Sequence, residues 1–77
     1  MGTQEIREHM EVVGADGGHV GIVDHLEGER IKLTRSDSKA HGRHHYLPLS
    51  LVATVDDFVT LSLNAVDAIA QWEIEVR

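Results

Sequence analysis

From Met10 to Leu33 the chain alternates short apolar runs with turn residues. Val12 and Val13, then Val20, Ile22 and Val23, then Ile31 and Leu33 are separated by Asp16-Gly17-Gly18 and by Glu27-Gly28-Glu29. Short β-branched runs bounded by residues that tolerate positive φ predict a β-meander. By alternation Val20 and Ile22 share one face and Val23 falls on the other. Gly21 among them predicts a bulge, where the strand bends and changes faces. Residues 30–35 alternate cleanly, with Ile31 and Leu33 inward and Lys32 and Thr34 outward.

The second half is patterned less evenly. Residues 36–42, "SDSKAHG", read as a polar loop and as the most mobile segment. "RHHYLP" then resumes as a strand that Pro48 ends, because proline cannot donate to a ladder. "LSLVATV" holds a turn and a short strand, Asp56-Asp57 marks another turn, and Val59, Leu61 and Leu63 alternate onto one side. After Asn64 the period changes to that of a helix. Asn64 is placed to cap it, Asp67 lies in its electropositive first turn, and Ala65, Ala68 and Ala70 favour it. Val66, Ile69 and Ala70 form the expected apolar stripe, with Trp72 one turn beyond Ala68 and Ile69. Residues 1–77 therefore read as one mostly β domain with a short C-terminal helix and a core spanning about 9–72.

Composition narrows what such a domain does. A chain of 77 residues buries a modest core, and with no cysteine it has neither a disulfide nor a thiolate metal site to reinforce it. Asp and Glu outnumber Lys and Arg by 13 to 7, for a net charge of −6, which disfavours binding to phosphate backbones. Arg30, Lys32, Arg35, Lys39 and Arg43 crowd the middle but are interleaved with Glu27, Glu29 and Asp37, a solvated mixed face rather than a basic patch. Protonating all six histidines would bring the charge from −6 to zero, so solubility should fall towards mildly acidic pH. No apolar run reaches the ~20 residues of a membrane span. The first ten residues lack a secretory apolar core, and Ile6 breaks the myristoylation pattern. A cytoplasmic protein, binding neither nucleic acid nor membrane, is the expectation.

Candidate chemistry concentrates in "HGRHHY", residues 41–46, which holds three of the six histidines. His41, His44 and His45 offer nitrogen ligands to a zinc or nickel ion, or a surface whose charge changes near neutral pH. On a strand, however, His44 and His45 point to opposite faces, His44 with Tyr46 and His45 with Leu47. The spacing also lacks the helical placement that makes H-E-x-x-H a metal signature. Other candidates reduce to structure. Asp56-Asp57 and "GADGG" read as turns, and Ser36, Ser38 and Ser50 lack a nucleophile elbow. Asp24 is expected to be buried and bonded to backbone amides rather than to serve as a catalytic base. No enzyme activity and no cofactor are indicated.

Taken in order, "MEVVGADGGHVGIVD", "ERIKL", "YLPLSLV" and "VDDFVTLSL" resemble the PRC-barrel superfamily, and most closely its branch of small bacterial proteins of unknown function, DUF2171. The resemblance covers roughly residues 9–72 and lies in the succession of turns, the Asp16-Gly17 hairpin followed by Val20-Gly21, and the Pro48 strand end. It implies a small β-barrel of about five to six short strands that works as a docking or assembly module, with no shared catalytic residues to carry over. The function expected is thus a non-catalytic protein-interaction module, its partner unidentified and a homodimer possible. The contact residues expected are His44 and Tyr46 on an exposed strand, with Ile69 and Trp72 on the helix side. For Trp72 a second reading stands beside this one, a lid laid across the barrel mouth. The alternative function is a metal-binding or pH-responsive protein using His41, His44 and His45.

Overall fold

A computed structural model of the chain describes residues 6–36 and 42–74. The elements are β1 (Glu11–Val13), β2 (His19–Glu27), β3 (Arg30–Leu33), β4 (His45–Pro48), a 3-10 turn (Leu49–Leu51), β5 (Val52–Val55), β6 (Val59–Leu61), α1 (Ala65–Gln71) and β7 (Glu73–Ile74). The strands hydrogen-bond in the order β5-β6-β1-β2-β3-β4-β7, and every pair is antiparallel except β1 with β6. The predicted meander is β1 to β3. Its second turn is tight: Glu27 pairs with Arg30, and Gly28 takes φ 61 at the first loop position, as a type II′ hairpin requires. Most of the polar loop, His41 included, lies outside the described residues.

β2 carries two irregularities. Val20 is inserted between His19 and Gly21 opposite Val12 and Val13, and Asp24 between Val23 and His25 opposite Leu33 and Lys32. The bend expected at Gly21 therefore centres one residue earlier, and a second follows. As a result Val20 and Val23 both reach the core, while Ile22, grouped with Val20 by alternation, is only half-buried. An extra residue shifts the period-2 pattern by one, so residues flanking a bulge change faces. Gly21 has a different job. A Cβ there would stand 3.0 Å from Leu33 Cδ1 in the core.

The sheet is curled, and connectivity shows why. β4 and β5 are five steps apart in the strand order, about 24 Å in a flat sheet at 4.8 Å per strand. Yet Pro48 and Val52 are four peptide steps apart, at most about 15 Å. The 3-10 turn can join them only if the sheet bends back on itself. It does not close into the expected barrel. Among the described residues no ladder joins the β5 edge to β7, a seventh strand of only two residues. On β5 a bulge at Ala53 twists the edge out of register, which blunts it for further pairing. Apolar packing closes the interior instead. Val12, Val20, Val23, Ile31, Leu33, Leu47, Val55, Val59 and Leu61 from the first six strands form one buried cluster with Ala65 and Ala68 of α1.

The helix forms where expected but turns a different face inward. Ala65 and Ala68 are buried and Val66 is 77% exposed, so the stripe of Val66, Ile69 and Ala70 is corrected to Ala65, Ala68, Ile69 and Trp72. Close approach explains the choice. A Cβ on Gly14 would lie 2.7 Å from the Asn64 carbonyl carbon, so only small residues on both sides let the helix start seat against the hairpin. Asn64 occupies the N-cap position without a side-chain capping bond. The cap comes from 49 positions away: Asp16 Oδ1 accepts from Gly18 N at 3.1 Å and from Ala65 N at 3.2 Å. Those two backbone donors, Gly18 foremost, hold the Asp16 carboxyl below its ordinary 3.8. Ala15 N adds a bond to Leu63 O at 2.7 Å, completing the clamp of hairpin on helix.

Candidate functional site

β4 is short, yet its two faces differ in kind. The pleat sends His45 and Leu47 inward and His44 and Tyr46 outward, as the alternation predicts. On the inner side His45 is 4% exposed and stacks on Trp72, with ring centroids 3.9 Å apart and planes at 22°. Trp72 ends α1 and is half-buried, and with Ile69 it packs against the core cluster. Both helix-side candidates therefore spend part of their surface covering the curled sheet. That is the lid arrangement, and it leaves only their outer portions available to a partner.

On the outer side, register gathers residues from three strands. Lys32 pairs with Tyr46 and Tyr46 with Glu73, so these side chains line up across β3, β4 and β7. Arg30 lies with its guanidinium carbon 4.6 Å from the Tyr46 ring centroid and donates to Glu73 Oε1 at 3.0 Å. A cation over an aromatic face, tethered by a carboxylate, is an ordered platform rather than a loose tyrosine. Next to it His44 Nδ1 donates to Leu33 O at 2.9 Å and stands 3.7 Å from Asp24 Oδ2. Asp24 also approaches His25 Nδ1 at 3.6 Å, while His25 Nε2 donates to Glu27 at 3.1 Å. Lys32 Nζ lies 3.8 Å from Glu27.

Asp24 is thus corrected from a buried amide acceptor to a half-exposed surface carboxylate. The bulge that inserts it pushes its side chain out toward the two histidines. Of the histidine trio, His44 and His45 stand on opposite faces and His41 falls outside the described residues. Among the described residues no three His, Asp or Glu side chains converge as metal ligands. The sequence does not show the roles of Arg30 and Glu73 beside Tyr46, or of Asp24 beside His25 and His44. They follow from strand register, which composition and periodicity do not reveal. No described helix is long and apolar enough to cross a membrane.

No curated protein and no solved structure matches the chain at a significant level. Residues 6–69 match the family described as uncharacterised proteins conserved in bacteria, DUF2171, a span that runs from the turn before β1 through most of α1 and takes in all three bulges, the tertiary cap and β4. The chain belongs to the DUF2171 family.

Proposed function

We propose that this protein is a non-catalytic interaction module of PRC-barrel-like kind, working in the bacterial cytoplasm. Its partner face is the outer surface of β3, β4 and β7, with His44 and Tyr46 at the centre, and a second contact comes from the outward portions of Ile69 and Trp72 on the helix, which covers the opposite side of β4. The observation that carries the reading is the Arg30–Tyr46–Glu73 arrangement, in which an aromatic ring is held under a guanidinium that is itself tethered. Rigid aromatic and arginine side chains are the usual anchors of protein interfaces, because little conformational freedom remains to be lost on docking. The curled sheet gives this face a firm backing, since Ile31, Leu33 and Leu47 beneath it are buried in the core.

Site-specific photo-crosslinking in the producing bacterium tests the reading. A crosslinker in place of Tyr46 should trap one discrete protein, and Arg30→Ala should reduce that product several-fold. A crosslinker at the exposed Val66 should not give it. Equal products from both positions, or none from position 46, would remove the face from consideration.

A further inference from the structure

Asp24, the residue inserted at the second irregularity of β2, stands between two imidazoles. Its Oδ1 lies 3.6 Å from His25 Nδ1, and its Oδ2 lies 3.7 Å from His44 Nδ1. His25 has another carboxylate at its far end, with Nε2 3.1 Å from Glu27 Oε2. We infer that these groups form a proton-operated latch. Once protonated, His25 donates to Glu27 and Asp24 together, and Asp24 draws in the His44 imidazolium, tying the bulged part of β2 to the entry of β4.

The chemistry of the ring carries the inference. A neutral imidazole has one N–H and one lone pair, so it donates to a single carboxylate and turns its lone pair on any other. In His25 the Nε2 proton serves Glu27, which leaves the Nδ1 lone pair facing Asp24 Oδ1 at a distance too long for a hydrogen bond. A proton on Nδ1 replaces that repulsion with a charge-assisted bond, which is shorter and stronger than a neutral one. His44 is oriented differently. Its Nδ1 proton is already committed to Leu33 O at 2.9 Å, so an added proton goes to Nε2 and places a cation beside Asp24 Oδ2.

The location gives the latch something to hold. β3 separates β2 from β4 in the sheet, so a contact between Asp24 and His44 spans the end of β3 at Leu33. An inserted residue is unpaired in the ladder and depends on its side chain to be fixed. Neighbouring charges leave room for the added protons. Lys32 pairs with His25 in the ladder, and its Nζ approaches the same Glu27 Oε2 at 3.8 Å, competing for it. From the turn before β1, Arg7, Glu8 and His9 line the groove beside His25, and Arg7 and Glu8 offset each other. Asp24 and Glu27 therefore outnumber Lys32, and negative charge is in excess until the imidazoles take up protons.

The latch does not depend on what docks at Tyr46. Thermal melts at about pH 5.5 and about pH 8 read it, because carboxylates are ionised at both and imidazoles gain protons only at the lower. A cation that meets these carboxylates only in the folded chain stabilises it at the lower pH, and the gain is lost as pH rises through neutrality. His25→Gln should therefore lower Tm by about 2–4 °C more at the lower pH than at the higher, the scale of half-exposed charge pairs in a small domain. In an Asp24→Asn, Glu27→Gln background that pH dependence should vanish. His44→Gln should show an extra deficit of the same sign at the lower pH, which Asp24→Asn alone removes. The remaining histidines are common to every pair of variants, so they cancel in these differences. NMR of the ring nitrogens gives a second reading: at the lower pH the His25 Nδ1 proton should exchange slowly enough to be seen in the parent and not in Asp24→Asn. A His25→Gln deficit equal at both pH values, a pH dependence that survives loss of both carboxylates, or an Nδ1 proton indifferent to Asp24→Asn would overturn the inference.

Discussion

Trp72 lies flat against His45, with ring centroids 3.9 Å apart and planes at 22°, and it joins the end of α1 to the inner face of β4. The two residues are 27 positions apart in the chain. The stack, the pairing of β7 with β4 and the Arg30–Glu73 bridge fasten the C-terminal segment over the curled sheet.

Trp72→Ala should therefore destabilise the domain by about 2–4 kcal/mol, somewhat less than for a fully buried aromatic. In a chain this small that lowers Tm on the order of 10 °C or more. Trp72→Phe, which keeps a ring over the imidazole, should recover much of the loss. Trp72 is the only tryptophan, so its fluorescence reports release of this segment directly. A Trp72→Ala melt within about a degree of the parent would show that the stack holds nothing.

Two glycines of the β1–β2 hairpin separate packing from backbone strain. Gly14→Ala would drive a methyl into the backbone of Asn64 and Ala65, which cannot yield without lifting the helix start. The expected cost is about 3 kcal/mol or more, the upper range of overpacking. At Gly17 a methyl meets nothing within 4 Å, but φ is 84. Gly17→Ala should therefore cost only the left-handed penalty, about 1–2 kcal/mol. Chemical denaturation of both variants checks the order. Equal losses would mean that the helix start is not seated on Gly14.

Asp16 makes stability depend on acid. Its carboxyl is held below 3.8 by the Gly18 and Ala65 amides, so the folded state keeps the charge to lower pH than the unfolded chain does. Its contribution is fully present well above 3.8 and disappears as pH falls through the lower folded value. Asp16→Asn should lower Tm at neutral pH and shrink the fall in Tm below roughly pH 4, because the variant has no carboxylate to protonate. Parallel melts along a pH series measure it. Curves separated by the same interval at every pH would show that the carboxylate charge is not what caps the helix.

Much of the architecture was readable from local chemistry. The Asp16-Gly17-Gly18 turn needed positive φ and received it at Gly17, and Ile31 and Leu33 went inward because strand geometry alternates. The opposition of His44 and His45 followed from the same alternation. The helix was legible in its position but not its orientation. Val66 is bulkier and more apolar than Ala65, yet only Ala65 fits against Gly14. Burial there is decided by the distance between backbones, which hydrophobicity does not encode. For the candidate face, Tyr46 was legible as a residue and its setting was not, since Arg30 and Glu73 reach it only through two strand pairings.

The sequence by itself determined the first six strand segments (but not β7), where the chain turns, and that a short helix follows Asn64, because these depend on residue periods and on backbone preferences within a few positions. The tertiary structure alone decided the rest. The two insertions in β2 set which valines are core and bring Asp24 to the histidines. The short link between β4 and β5 forces the sheet to curl, while the bulged β5 edge and two-residue β7 leave it open. Asp16 replaces Asn64 as the helix cap from 49 residues away. Each of these is a contact between distant positions, fixed by register and close packing, and such contacts leave no periodic trace along the chain.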